Sequence, residues 1–309
     1  MIRSSPEPVI LGSVGDSAAG KTTLTSGIAA ILGPDRVACI CSDDYHRYSR
    51  AERARLGLTA LDPAANHLDI FEQHLRLLRQ GQPVLKPIYD HRDGSLAAPQ
   101  YVVPRPYIIV EGLLGYHSRA MRECYDVKLF LEPAEELRVR WKTQRDTAKR
   151  GYSREEVLRQ IVEREHDTQT HIRPQRTFAD IVLTFYPPAG HAEESGPHLN
   201  VRHILRPTLP HPDLSPLLDQ GANAGLHLEL LRDNDGKPVD MLELHGDIAA
   251  PKAERLEELL WSLIPEAGYL RANVGTFDDG DREVSHPLAL TQLLIAYHMV
   301  KAAADRHDA

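Results

Sequence analysis

Short apolar runs alternate with longer segments of helical spacing over residues 8–186. "PVILGSV" (8–14) is apolar, partly β-branched and bounded by glycine, which predicts a buried strand. Next, "GKTTLTSGIAAIL" (20–32) spaces Leu24, Ile28, Ile31 and Leu32 as a helix does and stops at Gly33-Pro34. "RVACI" (36–40), "YIIVEG" (107–112), "DVKLFLE" (126–132) and "DIVLTF" (180–185) read as further strands. Helices are predicted over 67–81, with Asp69 near the start and Gly81 at the end, and over 133–151, between Pro133 and Gly151. Another, over 153–166, opens on the capping-box pair Ser153 and Glu156. Strands alternating with helices predict an α/β domain on a largely parallel, helix-flanked sheet.

The pattern changes at "YPPAGHAEESGPHLN" (186–200), rich in Pro, Gly and acidic residues, which reads as a linker or long surface loop. Beyond it, "LHLELLR" and "DMLELHG" flank the turn-forming "DNDGKP" and predict a hairpin. Two helices follow, near 250–263 and 286–303. The expected organisation is an α/β domain over 1–190 and a smaller α+β segment over 191–309 that extends the same sheet.

Composition narrows the partners. The 309 residues are 42% hydrophobic and 26% charged, as in an ordinary soluble domain. A net charge of -8 disfavours broad nucleic-acid binding, so an anion site must be a local basic pocket. No run reaches the roughly 18 apolar residues of a membrane span. The apolar stretch before Gly15 and Asp16 is too short for a signal-peptide core. A cytoplasmic location is expected. The cysteines are Cys39, Cys41 and Cys124, an odd number without zinc spacing, expected to be buried thiols. On a strand, Cys39 and Cys41 share a face.

The first strongly chemical motif is "GDSAAGKT" (15–22), which fits G-x-x-x-x-G-K-[ST] between a predicted strand and a predicted helix. Backbone N–H groups of such a loop and of the helix N-terminus wrap a phosphate chain. Gly15 and Gly20 permit close approach, Lys21 reaches the β/γ-phosphates, and Thr22 holds Mg²⁺. A bound ATP or GTP is therefore expected. Glu111, the one acid of "YIIVEG", ends a strand where a Mg²⁺-linked carboxylate belongs.

On the helix over 133–151, Lys142, Arg145, Asp146, Lys149 and Arg150 fall within roughly 140° of arc, with Leu137, Trp141 and Ala148 on another face. Cations around one acid suit a transferring phosphoryl group. A solvated surface helix would show the same pattern. "CSDDYHRYSR" (41–50) follows the second strand and offers a carboxylate where a small-molecule kinase needs an acceptor base. If that stretch is extended, Asp43 and Asp44 point opposite ways. No N/T-K-x-D segment is present, which argues against a switch GTPase.

Together these segments resemble the phosphoribulokinase/uridine kinase family. The likeness rests on "GDSAAGKTT", "CSDDYHRYSR", "GLTALDPAANHLD", "KPIYDH", "IIVEGLL", "WKTQRDTAKRG" and "RPQRTFADIVL", and more weakly on "LELHGDI" and "ALTQLLIAYHM". "GLTALDPAAN" and the long C-terminal segment are similar to the phosphoribulokinase branch of cyanobacteria, plants and archaea. The resemblance implies a P-loop kinase fold and transfer from ATP, with Mg²⁺, to the C1 hydroxyl of ribulose 5-phosphate. It implies that Gly15, Asp16, Ser17, Ala18, Ala19, Gly20, Lys21, Thr22, Thr23 and Arg150 bind ATP, Arg150 from a lid. Asp43 is then the base, with Lys21 and Asp146 also catalytic, and Thr22 and Glu111 hold the metal. His46, Arg50, Tyr89, His91, Lys142 and Arg145 bind the sugar phosphate. The longer type also implies a homodimer.

One departure concerns regulation. Plant members of the family pair a phosphate-loop cysteine with one before the aspartates; Cys41 matches the second, but Ala19 stands at the first. The C-terminal regulatory pair is missing too, so thiol regulation of that kind is not expected. Two alternatives remain: a kinase of the same family for another sugar phosphate or for uridine or cytidine, and a non-catalytic nucleotide-binding regulator.

Overall fold

The computed structural model describes residues 7–214, 225–264, 275 and 284–307. The strands are β1 (Val9–Gly15), β2 (Val37–Cys41), β3 (Val84–Asp90), β4 (Ser95–Val102), β5 (Tyr107–Gly112), β6 (Val127–Leu131), β7 (Ile181–Tyr186), β8 (Asn200–Leu205), β9 (Leu226–Arg232) and β10 (Pro238–Leu244). The helices are α1 (Lys21–Leu32), α2 (Arg50–Leu56), α3 (Leu68–Arg79), α4 (Arg119–Arg122), α5 (Glu135–Arg150), α6 (Arg154–Asp167), α7 (Ala250–Ser262) and α8 (His286–His307).

Eight strands form one sheet in the order β2-β5-β1-β6-β7-β8-β10-β9. The first five are parallel neighbours, and the last three join antiparallel. β1 is buried along its whole length because both faces are covered. Val9 and Leu11 pack with α1, α7 and α8, whereas Ile10 and Val14 pack with Phe71, Leu75 and Leu78 of α3. This period-2 division explains the continuous apolar run.

The predicted hairpin is β9–β10, and with β8 it continues the sheet beyond residue 190. α8 lies against α1: Leu290, Leu293 and Leu294 share a core with Leu24, Ile28 and Ile31. Strands β3, β4 and β8 lacked a clear pattern in the sequence. β4 is nearly all exposed and contains Pro99, and it pairs only with β3. β8 mixes apolar residues with Arg202 and His203, the latter buried because Thr291 and the Leu242 carbonyl satisfy its ring nitrogens.

Two local expectations need correction. Asp43 and Asp44 do not lie on an extended strand; Ser42–Tyr45 form a 3₁₀ turn. Of the cysteines expected to be buried, only Cys124 is; Cys39 is exposed on the edge strand β2, Cys41 is half-buried at its end, and all three thiols are free. Among the described residues, no helix is long and apolar enough to cross a membrane.

Candidate active site

The C-terminal ends of β1, β2 and β5 converge on one cleft, as parallel sheets dictate. The phosphate loop joins Gly15, the last residue of β1, to Lys21, the first of α1. A Cβ on Gly15 would stand 2.5 Å from the Leu131 carbonyl oxygen, so strand packing demands glycine there. Ala18 (φ 64) and Gly20 (φ 88) adopt left-handed backbone. Such residues turn successive N–H groups toward one concave side of a loop. Lys21 Nζ donates to the carbonyls of Gly15 (2.8 Å) and Asp16 (2.9 Å). Burial lowers the Lys21 pKa, against the pull of Asp43, Glu111 and Asp16. The Asp16 carboxylate accepts from Ser17 N (2.6 Å) and pairs with Arg138 (3.1 Å). Its side chain therefore braces the loop.

Glu111 receives hydrogen bonds from Thr22 Oγ1 (3.0 Å) and Thr25 Oγ1 (3.1 Å). The strand-end acid and the loop threonine thus meet, with Thr25 as an unforeseen third member. A carboxylate with hydroxyls is a hard-oxygen set, the donor chemistry that magnesium accepts.

The 3₁₀ turn after β2 builds the facing wall. Asp44 is held by Lys86 Nζ, a buried cation on β3, and by Tyr89 N–H (3.0 Å). Asp43, by contrast, forms no side-chain hydrogen bond or ion pair with any described residue. Its carboxylate, Cys41 Sγ and a ring nitrogen of His91 lie within 4.8 Å of one another. His46, Tyr89 and His91 stack edge to face, with centroids 4.7 and 5.0 Å apart. Arg50 reaches the His91 carbonyl (2.7 Å), and Arg53 donates to Tyr89 Oη (2.7 Å). Cys41 is not an activated thiol: burial first, then Asp43 and Glu111, push its pKa well up.

The basic face of α5 is turned inward at Lys142, Arg145, Asp146 and Arg150, whereas Lys149 is exposed. Lys142 and Asp146 are 2% and 1% exposed, whereas Ala148, expected on the apolar face, is exposed. Asp146 accepts from Lys142 (2.8 Å) and Arg145 (2.8 Å) and pairs with Arg150 at 3.4 Å. Burial pushes the Asp146 carboxyl up, but Arg145 and Lys142 outweigh it and hold it at about 2. Burial lowers Lys142 to about 8 despite Asp146. Arg145 also donates to Ser17 Oγ (3.0 Å), joining this cluster to the phosphate loop. The cluster reaches the facing wall as well: burial lowers the pKa of His91, Asp43 raises it, and Arg150 lowers it further.

The family model described as Phosphoribulokinase / Uridine kinase family matches residues 10–189, more than half of the chain. The chain belongs to this family. Phosphoribulokinase of Synechocystis sp. is 32% identical over 268 residues, covering 82% of this chain and 79% of its own. Uridine kinase of Chloroflexus aggregans is 33% identical over 182 residues, 57% of this chain and 86% of its own. The solved phosphoribulokinase from Rhodobacter spheroides, at 19% identity, has a similar fold, with a TM-score of 0.60 over 86% of this chain and 99% of its own.

Within this family framework, the sequence-predicted site residues fall in the phosphate loop and the first turn of α1, at Glu111 on the end of β5 beside it, on the facing wall, or in the α5 cluster. Sequence reasoning missed Thr25, Arg53, Lys86, Arg138 and Arg164. Arg53 follows Arg50 by three residues, so it lies near the same side of α2. Arg164, on α6, carries a pKa lowered by burial and by Arg53, and raised by Asp146 and Asp16. Nothing in the local sequence of α6 marks it.

Proposed function

We propose that this protein transfers the γ-phosphoryl group of ATP to the C1 hydroxyl of ribulose 5-phosphate, forming ribulose 1,5-bisphosphate. The observation that carries the reading is the extent of the likeness. It spans 82% of the chain with a phosphoribulokinase, whereas that with a uridine kinase covers 57%. In this reading ATP lies along the loop Gly15–Thr23, with Lys21 on the β/γ-phosphates and Arg150 closing over it. Asp43 orients the sugar hydroxyl and accepts its proton, and its freedom from other partners supports that role. Lys142 and Arg145, fixed by Asp146, neutralise charge on the transferring group.

Thr22 and Glu111 would hold a magnesium ion, which neutralises phosphate charge when bound. His46, Arg50, Tyr89 and His91 form the sugar-phosphate side. The same reading implies a cytoplasmic homodimer; a single dimeric species in sedimentation is expected, and a monomer would reject that part.

A substrate panel tests the activity. The kcat/KM for ribulose 5-phosphate should exceed those for uridine, other pentose phosphates and pantothenate by at least about tenfold, the factor that 1.4 kcal/mol of differential binding gives. A preference for a nucleoside would move the protein to the other branch. No acceptor-dependent ATP turnover would leave a nucleotide-binding regulator.

A further inference from the structure

The segment "GLTALDPAAN" is folded back on the facing wall, and its last residue, Asn66, meets the His46 ring. The Asn66 side-chain nitrogen donates to the carbonyls of Asp62 (2.8 Å) and Ala60 (3.2 Å). A carbonyl only accepts, so a reversed amide would set its oxygen against two other oxygens. Asn66 Oδ1 is therefore the atom facing His46 Nδ1, 2.7 Å away. An amide oxygen also only accepts, so Nδ1 must carry a hydrogen.

The arrangement is held from several sides. Both residues are buried, and their backbones pair in an isolated antiparallel bridge. The segment is tied down by Arg47 N–H on the Ala65 carbonyl (2.8 Å) and His67 N–H on the Tyr45 carbonyl (2.8 Å). Thr59 Oγ1 donates to Asp167 on α6 (2.5 Å). His46 Nε2 forms no hydrogen bond with any described residue. The charged groups that act on the ring are Asp43 on the same turn, Arg53 on α2 and His91 beyond β3. Burial is the largest influence and lowers the His46 pKa, Asp43 and the Asn66 bond raise it, and Arg53 and His91 lower it.

We propose that His46 is a neutral imidazole protonated on Nδ1, positioned by Asn66, whose bare Nε2 accepts a hydrogen bond from a hydroxyl of the acceptor sugar. This refines the role of His46 within the proposed function, on which the identity of the sugar rests. His46 then reads the hydroxyl pattern, and the phosphate is left to the arginines. An Nε2 lone pair rejects a ligand that presents only acceptors there, so the contact selects for a polyol.

Nitrogen-15 histidine labelling of the free protein reads the tautomer directly through ring nitrogen–hydrogen correlations, with His46→Gln giving the assignment. At neutral pH the expected pattern is a protonated Nδ1 and a bare Nε2. An Nε2-protonated ring or an imidazolium overturns the proposal. In Asn66→Ala the Nε2-protonated form should appear, and the KM for ribulose 5-phosphate should rise roughly tenfold while that for ATP holds. An altered tautomer with an unchanged sugar KM also overturns it. Should Asn66→Ala not fold, two His46 variants decide. Gln can accept and Lys cannot, so His46→Gln should keep a sugar KM at least about tenfold below that of His46→Lys. Equal or reversed values reject the acceptor role. The spectrum is taken without substrate, so a failure of ribulose 5-phosphate turnover would bear on the proposed function alone.

Discussion

Asp43 and Asp44 are chemically identical and adjacent, yet they have different surroundings. Asp44 is consumed by Lys86 and the Tyr89 N–H, whereas Asp43 is left open toward Lys21 and His91. Asp43→Asn should lower kcat by about 10²–10⁴-fold with ATP affinity little changed; near-normal turnover would reject the base. Asp44→Ala should instead destabilise the fold by about 3 kcal/mol in urea unfolding, because Lys86 is left as an unpaired buried cation. Lys142 makes a pH prediction. Burial lowers its pKa to about 8, so its ammonium is present below that pH and lost as pH rises through it. The kcat should fall on the alkaline side near that value, and Lys142→Arg should remove this limb. An alkaline limb that survives in Lys142→Arg would assign it to another group. Burial of Lys142 was not legible, since a cationic helical face in sequence reads equally as a solvated one.

Elements differed in how plainly they announced themselves. α6 was marked by the Ser153–Glu156 capping box, present in both directions. The β3–β4 hairpin, which carries Lys86, Tyr89 and Asp90, was not marked, because β4 buries little and so shows no apolar alternation. The seat of α8 on α1 was equally hidden. Gln292 donates to the Thr23 carbonyl (3.1 Å) and accepts from Gly275 N–H (2.8 Å), directly over Gly27. A Cβ at Gly27 would come within 2.2 Å of that amide. Alanine raises helix propensity by about 1 kcal/mol, but overpacking a fixed buried amide costs about 1–3 kcal/mol. Gly27→Ala should therefore lower Tm, and an unchanged or raised Tm would show that α8 yields.

At the scale of the whole molecule, one sheet passes through the end of the family match at residue 189. Ending the chain at 190 would bare the β7 edge and the apolar face that α1 shares with α8. Such a truncation should be insoluble or lack cooperative unfolding by circular dichroism; a folded, ATP-binding fragment would contradict the shared core. The sequence by itself determined the parallel strands, the phosphate loop, the α6 cap and the family, because these depend on local spacing and residue type. Tertiary structure decided what residues distant in the chain do to one another. It tied Asp44 to Lys86, turned Lys142 of α5 inward onto Asp146, and set the Asn66 amide against the His46 ring. Each outcome depends on desolvation and on a partner's position, and neither quantity is present in a linear pattern.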